Sequence, residues 1–139
     1  MKRRTELQQL VFERIKAVLL PGVALYLDRE NPFEEDHLPA VNLARLDDDI
    51  LEVIRGGPAA SLRRRLQLSI DLYGEGAGRF APLDDQEQAL CAVLLTLGDA
   101  GLGGFESLTL GGSVFDQETP LAVVCSTRIP LAIEYIVNL

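Results

Sequence analysis

The clearest regularity in the chain is the stretch Arg65 to Leu72, where Leu66, Leu68, Ile70 and Leu72 alternate with Arg65, Gln67, Ser69 and Asp71. A period of two belongs to a strand with one face buried and the other in water. A helix would scatter those four apolar residues around its circumference. The chain end repeats the device, with Ile129, Leu131, Ile133, Tyr135, Val137 and Leu139 alternating with Arg128, Pro130, Ala132, Glu134, Ile136 and Asn138.

Two such strands need an apolar layer laid across them, and two amphipathic stretches can supply it. Leu7, Leu10, Val11, Ile15, Val18 and Leu19 recur at helical spacing, with Thr5 placed to cap the first turn and Pro21-Gly22 to end the last. A second helix is predicted from Asp84 and Glu87, which resemble a capping box, through the stripe Leu90, Val93, Leu94 and Leu97 to a stop at Gly98.

The remaining segments read as strands and turns. Val23 to Leu27 is a short strand, and Asp28 opens an acidic loop that runs to about His37. Pro39-Ala40-Val41-Asn42-Leu43 begins a second strand. Its apolar parity then changes to Leu46, Ile50 and Ile54, which predicts a bulge or bend between Ala44 and Asp49. Gly56-Gly57-Pro58 is a strong turn signal, and a hairpin folded there places Glu52 near Arg64 and Ile50 near Leu66, with part of it projecting as an arm. Residues 74–78 are a flexible connection, and Glu106 to Phe115 is a glycine-broken strand. Gly111-Gly112 within it marks a bulge or a close backbone approach. Asp116 to Pro120 is a turn. Pro130 cannot donate to a ladder, so the first half of the last strand should lie at an edge or leave its nitrogen side unpaired. The pattern assembles into one α+β domain over residues 1–139: a mixed or antiparallel sheet of about four to five strands, two amphipathic helices on one face, and a projecting β-hairpin arm.

Composition narrows the role. With 47% hydrophobic and 24% charged residues the chain is globular, and its net charge of −8 argues against a sequence-independent grip on nucleic acid, which needs Lys and Arg. Cys91 and Cys125 have apolar neighbours and no CxxC spacing, so they read as buried thiols of a reducing cytoplasm rather than a disulfide framework or zinc site. The basic start, Met1-Lys2-Arg3-Arg4-Thr5, is not followed by the apolar run of a signal peptide, and no apolar stretch is long enough for a membrane span.

Candidate chemistry is sparse. Gly74, Gly76 and Gly78 follow a strand, but their spacing is not that of a dinucleotide site, and the next helix opens on Asp84-Asp85, which would oppose a phosphate. His37 reads as an exposed loop residue with no nucleophile beside it. Asp47-Asp48-Asp49 lacks the glycine and distal glutamate of a calcium loop and reads as a solvated turn or an acidic surface against a neighbouring subunit. Arg63-Arg64-Arg65 pairs more plausibly with carboxylates than with phosphates, either with Glu52 across its own hairpin or with acids on another chain. The reading is therefore of no catalytic, cofactor or metal residues. Asp47, Asp48, Asp49, Glu52, Arg63, Arg64 and Arg65 are instead candidates for a subunit or tube interface, because complementary signs on one surface let a monomer join head to tail into a ring.

Taken in order, these residues resemble the phage tail terminators of the lambda-type minor tail protein U family. The resemblance is carried by the helix opening Arg4-Thr5-Glu6-Leu7, the acidic loop running into Leu38-Pro39-Ala40-Val41 and a strand, and the polar-rich hairpin arm. It continues through the alternating strand Leu66 to Leu72, the helix led by Asp84-Asp85-Gln86-Glu87 and the closing strand Ile129 to Leu139. It implies a structural virion protein rather than an enzyme: a ring, in that family a hexamer, that caps the tail tube, stops its polymerisation and presents a surface to the head–tail connector protein. The implied partners are copies of the chain, the tail tube protein and the connector, with no specific nucleic-acid binding and no membrane. The implied location is the virion tail, after assembly in the host cytoplasm. A ring of six would carry six times −8, or −48, and a lumen bearing part of that charge would let DNA slide through without adhering. The alternative readings are another phage neck or head–tail connector protein, and a small ligand-binding domain.

Overall fold

A computed structural model describes residues 2–29, 38–76, 79–100, 104–117 and 124–139. The first helix, α1, spans Lys2–Lys16. It begins before Thr5, which lies on its exposed side instead of capping it. The extra turn carries Lys2 and Arg3, both paired with Glu6, and Arg4, whose partner lies in the sheet. Val18 and Leu19 follow the helix and still pack against the core.

The second helix, α2, spans Ala81–Ala100 and differs from expectation at both ends. Pro82 suits a first turn because its missing N–H has no helical partner there. Asp84 already donates its N–H to Phe80 O at 2.8 Å, so it is a first-turn residue rather than a cap. Gly98 does not stop the helix. It faces Leu108 of the sheet, where an added Cβ would sit 3.4 Å from Leu108 Cβ, at van der Waals contact.

Six strands form one sheet: β1 Ala24–Leu27, β2 Ala40–Arg55, β3 Ala60–Glu75, β4 Ser107–Leu110, β5 Val114–Gln117 and β6 Val124–Asn138. Their order is β1-β2-β3-β6-β4, with β5 also on β6; β1 runs parallel to β2 and the other pairs are antiparallel. The architecture is α+β, as the alternation predicts. The sixth strand arises because Gly111-Gly112-Ser113 splits the glycine-broken segment in two. Register aligns Leu43 with Ile70 and Ile129, Leu68 with Leu131, and Leu66 with Ile133, so these side chains share one face. Leu7, Val11 and Ile15 of α1 and Leu83, Leu90, Leu94 and Leu97 of α2 complete the core on that face. Burying a leucine side chain of this kind contributes about 2 kcal/mol. Among the described residues no helix covers the opposite, open face.

β6 is not at an edge: it lies between β3 and the pair β4 and β5. Pro130 is accommodated at the break between those two short strands, where Gly111 donates its N–H to Pro130 O at 2.8 Å. A residue in an antiparallel strand turns both backbone groups to the same side, so the missing N–H of Pro130 faces that gap. The close approach expected at Gly111 is real, since a Cβ there would fall 2.5 Å from Pro130 Cγ.

β2 and β3 form the long hairpin, paired as far as Arg55 and Ala60, with Gly57 at φ 79° in the turn. The expected bulge falls between Arg45 and Asp47. A second, between Ile50 and Glu52, changes the register. In the register that results, Glu52 faces Arg63 rather than Arg64, and Ile50 faces Arg64 rather than Leu66. β6 follows β3 to Ser61 opposite Asn138, so the arm is a three-stranded ribbon. Cys125 is buried as expected, whereas Cys91 is only half-buried; both are free thiols. His37, most of the acidic loop, residues 77–78 of the glycine connection and most of the turn expected at 116–120 lie outside the described residues.

Candidate functional site on the arm

Strand geometry separates the two charged triplets. Asp47, Asp48 and Asp49 lie opposite Gln67, Leu66 and Arg65, and Leu66 belongs to the core face. Asp48 therefore points to the helix side, while Asp47 and Asp49 point to the open face. Arg64 likewise faces the helix side between Ile50 and Tyr135, with Arg63 and Arg65 on the other.

On the helix side the charges are enclosed. The Asp48 side chain is 6% exposed and accepts from Arg4 Nε at 2.5 Å, Arg64 Nε at 3.1 Å and the Tyr135 hydroxyl. Arg64 Nη2 also donates to the Asp48 carbonyl at 2.8 Å. Burial pushes the Asp48 carboxyl up, but the bonds from Tyr135, Arg4 and Arg64 outweigh it and hold the group below its usual range. Burial and the bond to Asp48 push the Tyr135 hydroxyl up. This cluster fastens the first turn of α1 to the base of the arm.

On the open face of the arm the charges are paired but wet. Arg63 bonds both Glu52 and Glu106, and Arg65 Nη2 reaches Glu134 Oε1 at 2.9 Å. The bond from Arg65, with help from Ser107, lowers the Glu134 carboxyl. Nearer the core the same face is closed, contrary to the expectation of a wet side for Arg65 to Leu72: Ser69 and Asp71 are buried, and Asp71 accepts from Ser69 at 2.5 Å and from Arg128 Nε at 2.8 Å. A concavity of about 480 Å³ lies there, lined by Asp71, Tyr73, Val114, Phe115, Asp116 and Arg128 among others. A further set fixes the start of the acidic loop: Asp28, at φ 50°, accepts from Gln8 Nε2 at 2.9 Å, and Gln8 Oε1 accepts from Arg45.

The interface candidates thus divide. Asp47 and Asp49 are exposed without an ion pair among the described residues, Glu52, Arg63 and Arg65 form exposed pairs within the chain, and Asp48 and Arg64 are interior. Sequence reasoning missed Arg4, Tyr135, Glu106 and Glu134 as their partners. The odd parity of Tyr135 in an apolar row was the one available signal, since a buried hydroxyl needs an acceptor. Among the described residues no group of His, Cys, Asp or Glu is placed to hold a metal ion. The aspartate triplet cannot converge on one, because its middle member faces the other side. No helix among the described residues is long and apolar enough to cross a membrane.

No protein-family model matches the chain, and no curated protein does. Among solved structures it is similar to the sheath/tube terminator of an extracellular contractile injection system, PVC, in its extended state, with a TM-score of 0.63 at 9% identity over 97% of this chain and 56% of that one. The chain therefore spans little more than half the length of that terminator. It is also similar to a chain in the virion of a native gene transfer agent particle, with a TM-score of 0.50 at 15% identity over 94% of this chain and 95% of that one. At these identities the likeness is one of fold, and the fold is tail-terminator-like.

Proposed function

We propose that this chain is a structural component of a phage tail or tail-like particle, a terminator subunit of the lambda-type minor tail protein U kind. Its copies close a ring on the end of the tail tube, stop its polymerisation and offer a surface to the head connector. The observation that carries this reading is the shared fold with a sheath/tube terminator across 97% of the chain. The paired helices and sheet form the body, and the arm supplies the surface offered to the neighbouring copy and the tube. Within the arm, Asp47, Asp49, Glu52, Arg63 and Arg65 are the contact residues. Asp48 and Arg64 serve instead to hold the arm in place. A hexamer with an acidic lumen would pass DNA without binding it, and its place of work is the virion tail after assembly in the host cytoplasm.

Sedimentation of the pure protein with and without tail tubes tests this. Ring-sized species, alone or on tube ends, are expected, and a monomer under both conditions overturns the proposal. Reversing Arg63 and Arg65 to Glu, with Arg64 left in place, is expected to leave a folded chain that no longer assembles. Reversing all three arginines would instead break the interior cluster and confound the result.

A further inference from the structure

β2 runs from Ala40 to Arg55, yet its outer neighbour β1 pairs only with Ala40 to Leu43. Asp28 closes that short ladder, donating its N–H to Leu43 O at 2.8 Å and accepting the N–H of Arg45 at 2.8 Å. From Leu46 to Arg55 no described strand lies on this side of β2. At about 3.3 Å per residue that leaves roughly 30 Å of sheet edge with no strand beside it among the described residues. Such an edge is a template for an added strand. Leu46, Ile50, Leu51 and Val53, all exposed large apolar residues, fall within this one stretch. The two bulges divide it into the short ladders Asp47–Ile50 and Glu52–Arg55.

We infer that this edge takes a strand from a different protein, an extended segment in which basic residues alternate with branched apolar ones. An added strand continues both faces of the sheet. On the open face its side chains would neighbour Asp47 and Asp49, where Lys or Arg is favoured, and Glu52, which already pairs with Arg63. On the helix side they would neighbour Ile50 and Val53, where Val or Ile extends the apolar surface, with Arg55 on the same side at the tip. A second copy of β2 fits less well, because a two-fold pairing centred between Asp49 and Ile50 would set Asp47 against Glu52. Charge on an edge protects a sheet from its own copies; here the same charges select a partner of opposite sign. The inference rests on the assembly reading only for the source of the strand, another component of the particle, and the chemistry of the edge stands without it.

Fluorescence anisotropy on the whole chain at low salt tests it, using a short labelled peptide alternating lysine with valine and a counterpart alternating glutamate with valine. The basic peptide is expected to bind at least about tenfold more tightly and to slow hydrogen exchange within residues 46–55. Asp47→Lys with Asp49→Lys should reverse the preference. Ile50→Ser, which keeps every charge, should weaken the basic peptide, and circular dichroism checks that each variant folds. Absence of binding by the basic peptide, equal affinity for both signs, or protection on β4 instead of β2 overturns the inference. Sedimentation without peptide reports on ring formation separately, so either idea can fail alone.

Discussion

Arg64 and its two neighbours are chemically identical, consecutive and each paired with a carboxylate, yet they belong to different environments. The side chain of Arg64 is 13% exposed and its partner Asp48 6%, whereas Arg63 and Arg65 are 33% and 42% exposed on the uncovered face. The difference comes from strand parity and the placement of α1. A charge pair under a helix has lost most of its water and depends on its partners, while a pair on the open face of the arm keeps much of its hydration. Two charged triplets that look like a single patch in one dimension are therefore an interior clamp and a surface.

The strongest way to break this comparison is to remove the clamp. Asp48→Ala leaves Arg4 and Arg64 enclosed without a carboxylate and is expected to cost about 3–5 kcal/mol in denaturant unfolding. Asp49→Ala, one residue away, should be nearly silent. Equal effects would mean that the clamp is as wet as the surface.

Acid titration sharpens the same contrast. The Asp48 carboxyl is held below its ordinary value of 3.8, so its contribution is present above that pH and is lost as pH falls through the lowered value. Wild-type protein should lose stability below about pH 4 more steeply than Asp48→Asn, in which that group no longer titrates. Parallel acid limbs would show that the cluster is not the source of the sensitivity.

The smallest effects belong to the open face. Arg63→Ala and Arg65→Ala are each expected to cost less than about 1 kcal/mol in the isolated chain. That loss should shrink further in high salt, which screens exposed pairs more than buried ones. A large, salt-insensitive loss from either would move those residues from surface to clamp.

Much of the body was legible because strand and helix periods are properties of the backbone itself. Leu66 to Leu72 could lie only as a strand, although its polar side proved buried at Ser69 and Asp71, and the parity change after Leu43 announced a bulge. Gly111 marked a real close approach. The arm was less legible because a second bulge at Leu51 moves every later pairing by one residue, and nothing in that stretch breaks the local pattern strongly enough to announce it.

By itself, then, the sequence determined the segments, their apolar faces and the order of elements that resembles a tail terminator, since each follows from interactions within a few residues. The tertiary structure alone decided which charges are buried. Arg4, Asp48, Arg64 and Tyr135 come from four separate elements, and only the register of β2, β3 and β6 beneath the first turn of α1 brings them together. It also decided that Pro130 sits inside the sheet, because a strand lacking one donor is tolerated wherever its neighbour happens to break.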